Sequence, residues 1–207
     1  MSTLLEELAL LSHEGANGRA GGYLDLGLGG AVLYELALAG RIGVDGKKVR
    51  VLDTTPTGDP VVDSRLAAIA ADKPRAPHSV LERASKGLVP AVREGLVASG
   101  ALRHERGKAL GIFPVNRYHP RDRGMTADAR TRLASAVRHG RAFDERTQAL
   151  LSLMAAIRLE KTIFPDRQTR PSRKELKAFA EAHWAGAATR KAVSNRDGAN
   201  AAAASSG

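Results

Sequence analysis

The sequence contains no cysteine, which excludes disulfide bonds, thiolate metal sites and a cysteine nucleophile. It also lacks an apolar run of the roughly 18 residues that a membrane-spanning helix needs. Aromatic residues make up only 4% of the chain, while alanine, leucine and valine supply much of its apolar content. This composition favours helices packed through small aliphatic side chains over a sandwich of strands rich in aromatic and β-branched residues.

Signatures of catalysis and of metal binding are also missing from the sequence. There is no Gly-x-Ser-x-Gly nucleophile turn, and the scattered histidines do not have metal-ligand spacing. The glycine-rich run at residues 27–30 could hold a phosphate at a helix entry or could allow tight packing. Asp53, Asp59 and Asp63 could bind a cation, although Asp59 also suits a helix N-terminus. We therefore expect no catalytic activity, no metal and no cofactor.

Positive charge dominates the chain, with 32 lysines and arginines against 22 acidic residues and a formal net charge of +10. The excess is uneven. Residues 1–72 hold 6 bases and 10 acids, residues 73–146 hold 16 and 7, and residues 147–207 hold 10 and 5. This asymmetry would orient the molecule over a polyanion, either a nucleic acid or an acidic membrane. The alternative is an ordinary basic surface that is neutralised by solvent ions.

The chain consists of predicted helices interrupted by two hairpins. Apolar periodicity, caps and breaks predict helices at about 3–12, 31–39, 61–71, 78–86, 90–99, 126–139, 144–160 and 172–193. Alternating apolar residues predict hairpins at about 41–53 and 101–118. We expect a mainly α protein with a single domain over residues 1–194 and a flexible tail over 195–207.

Several short motifs, taken in order, are similar to one known family. They are Leu4-Leu5-Glu6-Glu7, Glu35-Leu36-Ala37-Leu38, Pro56-Thr57-Gly58-Asp59, His119-Pro120 and Arg146-Thr147-Gln148. Their order and spacing resemble the Golgi phosphoprotein 3 family over residues 4 to about 193. The resemblance implies a single helical domain with a central helix bundle, surrounding amphipathic helices and a projecting hairpin. Richness in alanine, glycine and arginine without cysteine is typical of a bacterial member.

The resemblance also implies a lipid headgroup site. Eukaryotic members of the family are peripheral membrane proteins that bind phosphatidylinositol 4-phosphate and help to retain Golgi glycosyltransferases. Their binding tryptophan and arginine before the second helix fall near glycines in this sequence, and of two later arginines only the one at Lys86 keeps a charge. We therefore expect a headgroup site built from Lys86 with the neighbouring bases Arg83, Arg93 and Arg19.

The hairpin of the family takes part in membrane contact and in self-association. The corresponding residues here are Phe113, Arg117, Tyr118 and Arg121. The resemblance implies three kinds of partner: an anionic, phosphoinositide-like headgroup, the cytoplasmic tails of membrane enzymes, and a second copy of the chain through the hairpin. We expect a cytoplasmic protein that associates peripherally with a membrane.

A helix followed by a basic hairpin is also the outline of a winged helix, so a nucleic-acid-binding protein is the alternative function. In that case Arg103, Arg106 and Lys108 would contact phosphates. However, the helix before the hairpin offers only Arg93 and Glu94 as long polar side chains that could read bases. Nucleic acid is therefore the less favoured partner.

Overall fold

A computed structural model describes residues 3–15, 20–109, 113–122 and 124–205. The described residues form ten helices and two antiparallel hairpins. The helices are α1 (Leu4–Ser12), α2 (Leu24–Leu38), α3 (Pro60–Ala70), α4 (Pro77–Ala84), α5 (Leu88–Ala98), α6 (Gly124–His139), α7 (Glu145–Ala156), α8 (Glu160–Ile163), α9 (Arg173–Glu181) and α10 (Trp184–Ser205). The strands are β1 (Ile42–Asp45), β2 (Lys48–Val51), β3 (Leu102–Ala109) and β4 (Phe113–Pro120). The predicted mainly α fold with hairpins is confirmed.

Helix α2 lies at the centre of the fold because it is apolar on nearly every side. Of its 15 residues, 11 are buried. A helix of this kind has to be enclosed by other elements, and α1, α4, α7 and α10 pack around it. The buried side chains form one continuous cluster that reaches the two hairpins at Ile42 and Leu102.

The glycine-rich run at residues 27–30 lies inside α2 and allows close packing. A Cβ atom at Gly29 would lie 2.8 Å from the carbonyl oxygen of Leu81, and one at Gly30 would lie 2.3 Å from Oγ1 of Thr189. The Gly27 N–H already donates to the Tyr23 carbonyl at 2.9 Å, as helix geometry requires. The run is therefore a packing feature, and its interpretation as a phosphate-binding loop is wrong.

Helix α1 begins with a capping box formed by Thr3 and Glu6. The Glu6 N–H donates to Oγ1 of Thr3 at 3.2 Å, and the Thr3 N–H donates to the Glu6 carboxylate at 2.9 Å. Two N–H groups at the helix start are thus satisfied. The Leu4 N–H donates to the Glu35 carboxylate at 2.7 Å, which joins the start of α1 to α2.

The two hairpins differ in length and position. The short hairpin pairs Ile42 with Val51, and its turn contains Gly46 at a φ of 58°. The long hairpin follows α5 and pairs Leu102 with Pro120 at its base and Ala109 with Phe113 at its far end. Its base packs on α5, so the remainder of the hairpin extends away from the helical core.

Four predicted helix boundaries are wrong. The helix predicted at 31–39 already begins at Leu24, because the glycine-rich run belongs to α2. The helix predicted at 144–160 is divided because Arg158 adopts a left-handed φ of 62° between α7 and α8. The helix predicted at 172–193 is divided between α9 and α10. Helix α10 then continues to Ser205 instead of ending near residue 193, because the four alanines at 201–204 have a high helix propensity that needs no apolar periodicity.

Candidate functional site

The three predicted headgroup residues that the structure describes, Arg83, Lys86 and Arg93, have different neighbours. Arg83 is exposed on α4, where its Nη1 lies 3.7 Å from the Asp72 carboxylate. Lys86 is exposed in the turn between α4 and α5, and Arg93 is half-buried within α5. Arg19 lies outside the described residues. The three described cations therefore belong to three different surroundings.

Lys86 lies on a groove of about 600 Å³ between the α4–α5 turn, the start of α2 and α10. Its charged lining residues are Asp25, Glu82, Lys86 and Arg196, so positive and negative charges balance. The Nη1 atom of Arg196 donates to Asp25 at 2.7 Å. Lys86 forms no ion pair with a carboxylate of the described residues, and its ammonium group is free to meet an anion.

Arg93 holds the long hairpin against the helices. Its Nε donates to Nε2 of His13 at 3.1 Å, and its guanidinium lies 4.6 Å from the centre of the Tyr118 ring. The Tyr118 ring also stacks on His104, with 4.6 Å between ring centres and an interplanar angle of 6°. Burial lowers the pKa of Arg93 and, with the Arg93 and His119 charges, lowers the pKa of His13 to about 4. Arg93 and Tyr118 thus have a packing role in this structure.

The long hairpin carries exposed cations along its length. Arg106 and Lys108 on β3, Arg117 on β4 and Arg121 just after it are all exposed. None of them pairs with a carboxylate among the described residues. Phe113 begins β4 opposite Ala109. The hairpin therefore presents four solvent-facing positive charges. Two of them, Arg106 and Lys108, are also the predicted phosphate contacts of the nucleic-acid alternative.

Much of the remaining charge is neutralised within the fold. Acidic residues of the N-terminal third meet arginines from α6 and α7. Three of these ion pairs are Arg130–Glu14 at 2.9 Å, Arg132–Glu7 at 3.2 Å and Arg146–Glu35 at 3.8 Å. Folding thus brings acidic residues of the N-terminal third beside arginines from later in the chain and neutralises part of the asymmetry. Only the cations outside such pairs remain available to a partner.

The aspartates at residues 53–63 organise the chain around the start of α3. Asp59 caps that helix by accepting from the Val61 N–H at 2.8 Å and the Val62 N–H at 3.1 Å. Asp63 accepts from the Thr57 N–H at 2.7 Å, and this bond lowers its pKa. The capping interpretation is confirmed. Within the described ranges, no cluster of three or more His, Asp or Glu side chains could hold a metal ion.

Sequence reasoning missed the contribution of Arg196 and Asp25 to the Lys86 groove. These two residues are 171 positions apart and lie on helices that meet only after folding. It likewise missed the contact between Arg93 and His13, which are 80 positions apart. No local motif joins either pair, so only the packing of α10 and α5 against the core reveals them.

A helical core enclosing an apolar central helix, with a cationic hairpin extending from it, defines a mainly α protein with a solvent-facing basic arm. None of the described helices combines the length and the apolar character needed to cross a bilayer. The model of one family, Golgi phosphoprotein 3 (GPP34), matches residues 4–196. The chain belongs to this family. A search of curated proteins found no match.

Proposed function

We propose that this chain is a peripheral membrane protein that docks reversibly on anionic phospholipid headgroups through its long hairpin. The observation that carries the proposal is the set of four exposed hairpin cations without carboxylate partners among the described residues. Membership of the Golgi phosphoprotein 3 family supports it. Lys86, in its groove, would supply a further contact with a headgroup phosphate.

The strength of docking follows from the number of free charges. Each lysine or arginine near an acidic bilayer surface contributes about 1 kcal/mol. Arg106, Lys108, Arg117 and Arg121 would together contribute about 4 kcal/mol, which corresponds to a dissociation constant of about 1 mM. Binding of this strength is reversible and sensitive to salt. Contact with the tails of membrane enzymes, and self-association through the hairpin, stay predictions of the family resemblance.

Vesicle co-sedimentation tests the proposal with two variants of equal charge. The hairpin variant Arg106→Gln/Lys108→Gln/Arg117→Gln removes three free cations. The control variant removes three exposed cations from α9 (Arg173→Gln/Lys174→Gln/Lys177→Gln). We expect the wild-type protein to pellet with phosphatidylcholine vesicles that contain phosphatidylglycerol and not with phosphatidylcholine alone. The hairpin variant should bind about a hundredfold more weakly, and the α9 control should resemble the wild type.

Two results would contradict the proposal. Equal pelleting with neutral and acidic vesicles would show that anionic headgroups are not recognised. Equal losses in the two triple variants would show that net charge, and not the hairpin, drives binding. Lys86→Glu provides a finer test: we expect it to weaken binding to phosphatidylinositol 4-phosphate more than to phosphatidylglycerol at equal vesicle charge. A uniform loss would mean that Lys86 supplies charge without headgroup selection.

A mobility-shift assay tests nucleic acid, the alternative partner. Because Arg93 is engaged with His13 and Tyr118, Glu94 is the long polar side chain that α5 leaves exposed within the described structure. An acidic side chain would be repelled by the phosphate backbone. We therefore expect at most salt-sensitive, sequence-independent binding of duplex DNA through the hairpin cations, and a sequence-specific mobility shift at about 0.15 M salt would favour the winged-helix alternative.

A further inference from the structure

A second cavity lies between β2, α3 and α4. Its volume is about 320 Å³, and it shares no lining residue with the Lys86 groove. Val49, Val51, Ile69 and Val80 form its apolar floor. The size matches the lower end of small-molecule sites, which combine an apolar lining with a few polar groups. The cavity is large enough for one short-chain organic molecule.

The rim of this cavity is strongly cationic. One acidic residue, Asp72, faces five basic ones: Arg50, Arg65, Lys73, Arg75 and Arg83. The lining therefore carries a formal charge of +4, from five positive charges and one negative. An apolar floor beneath a ring of cations is complementary to an amphipathic anion.

Some of the rim cations already have partners. Arg75 makes a bidentate contact with Asp72, through Nε at 2.6 Å and Nη2 at 3.0 Å, and this lowers the pKa of Asp72 to about 2. Arg50 pairs with Asp45 at 2.8 Å. The Arg75 contact leaves Asp72 with little capacity to neutralise the other cations of the lining.

Three rim cations remain available. Lys73 forms no ion pair with a described carboxylate, and Arg83 makes only the 3.7 Å approach to Asp72. Arg65 donates one bond from Nη2 to the Lys86 carbonyl at 2.9 Å, while its Nε is buried without a partner among the described residues. The other guanidinium N–H groups of Arg65 can donate to a phosphate oxygen.

We propose that this cavity binds a small amphipathic phosphate ester. The apolar part would lie on the floor formed by Val49, Val51 and Ile69, and the phosphate would meet Lys73, Arg83 and Arg65. A phosphate monoester suits the site because its near-double negative charge offsets more of the +4 lining charge than a carboxylate would. This inference goes beyond membrane docking, since it concerns single ligand molecules and uses none of the hairpin cations.

Octyl phosphate, held below the concentration at which it aggregates, is the probe for the cavity, with titration calorimetry as the readout. Inorganic phosphate and 1-octanol represent the two halves of the probe. We expect one binding site per chain and an affinity at least about tenfold higher than for either half, because only the whole molecule uses both rim and floor. If octyl phosphate binds no more tightly than 1-octanol, or does not bind, the inference is overturned.

A matched pair of variants locates the site. Ala68 and Ala67 are neighbouring exposed residues of α3, and only Ala68 lines the cavity. We expect Ala68→Glu, which adds bulk and negative charge, to abolish octyl phosphate binding, and Ala67→Glu to leave it unchanged. Equal effects of the two variants would refute the site. Lys73→Gln should lower the affinity up to about fivefold, and an unchanged affinity would count against the phosphate position.

A vesicle-binding experiment distinguishes a ligand that comes from the bilayer from one that comes from solution. If the phosphate ester comes from the bilayer, Ala68→Glu also weakens binding to phosphatidylcholine vesicles that contain phosphatidic acid. If the phosphate ester comes from solution, Ala68→Glu abolishes octyl phosphate binding and leaves vesicle binding unchanged. Either result supports a phosphate ester as the ligand. Failure of octyl phosphate to bind the wild type would leave the membrane proposal intact, because hairpin docking does not use this cavity.

Discussion

The environment of His13 makes the stability of the protein depend on pH in the weakly acidic range. His13 is fully buried at the C-terminal end of α1. Its Nε2 accepts a hydrogen bond from Arg93, and its Nδ1 is buried without a partner among the described residues. Burial, and then the charges of Arg93 and His119, lower its pKa from 6.5 to about 4. Protonation would place a positive charge next to an arginine in the core.

The size of the effect follows from the two pKa values. Above pH 6.5 the ring is neutral in the folded and unfolded states, so the stabilisation of the folded state is fully present. Between pH 6.5 and about 4 only the unfolded state takes up the proton, and the free energy of unfolding falls by up to about 1.4 kcal/mol per pH unit. From about pH 8 to about pH 5 the loss from His13 alone is about 2 kcal/mol.

Urea denaturation across this pH range tests the prediction. His13→Gln keeps an acceptor for Arg93 but has no titrating group, so its stability should change about 2 kcal/mol less than that of the wild type between about pH 8 and pH 5. His183, whose pKa is also lowered by burial, adds to the slope in the same direction, and His183→Gln shows how much. Parallel pH profiles for the wild type and His13→Gln would refute the reasoning, as would an NMR titration of His13 with a pKa near 6.5.

Two further predictions concern packing. Gly30→Ala should destabilise the protein by about 1–3 kcal/mol because its Cβ would lie 2.3 Å from Thr189 Oγ1. The control Gly198→Ala in α10, where a Cβ meets no atom within 4 Å, should stabilise the protein by up to about 1 kcal/mol. Urea denaturation measures both changes, and equal effects would contradict the close packing of α2. Tyr118→Leu removes the ring that contacts both Arg93 and His104 and should weaken the docking of the long hairpin by about 1–2 kcal/mol. Hydrogen exchange should then accelerate in β3 and β4 but not in β1 and β2, and unchanged exchange in the long hairpin would show that the ring does not hold it.

Elements controlled by neighbouring residues could be predicted from the sequence. The capping box of α1 depends on Thr3 and Glu6, which are three positions apart. The short hairpin depends on its Asp45–Gly46 turn, and the start of α3 depends on Asp59. In each case the hydrogen-bonding groups belong to the same local segment, so the pattern of residue types is sufficient.

The candidate site could be predicted only as a set of charges. The sequence identifies Lys86 and the basic hairpin, but it cannot show that Arg93 is occupied by His13 and Tyr118, or that Arg196 enters the Lys86 groove. These contacts depend on the way α5 and α10 pack against the core. The end of α10 could not be predicted from apolar periodicity either, because alanine stabilises a helix without burial.

The ion pairs within the fold decide which arginines can serve a partner. Arg130 and Arg132 hold α6 against the N-terminal segment through Glu14 and Glu7, so their charge is used in the folded protein. Arg106, Lys108, Arg117 and Arg121 have no such carboxylates among the described residues, so their substitution breaks no ion pair within them. The hairpin and α9 triple variants should therefore be as stable as the wild type, since exposed changes of this kind alter stability little. Because both variants lose three positive charges, any difference between them in vesicle binding reflects the position of those charges and not their number.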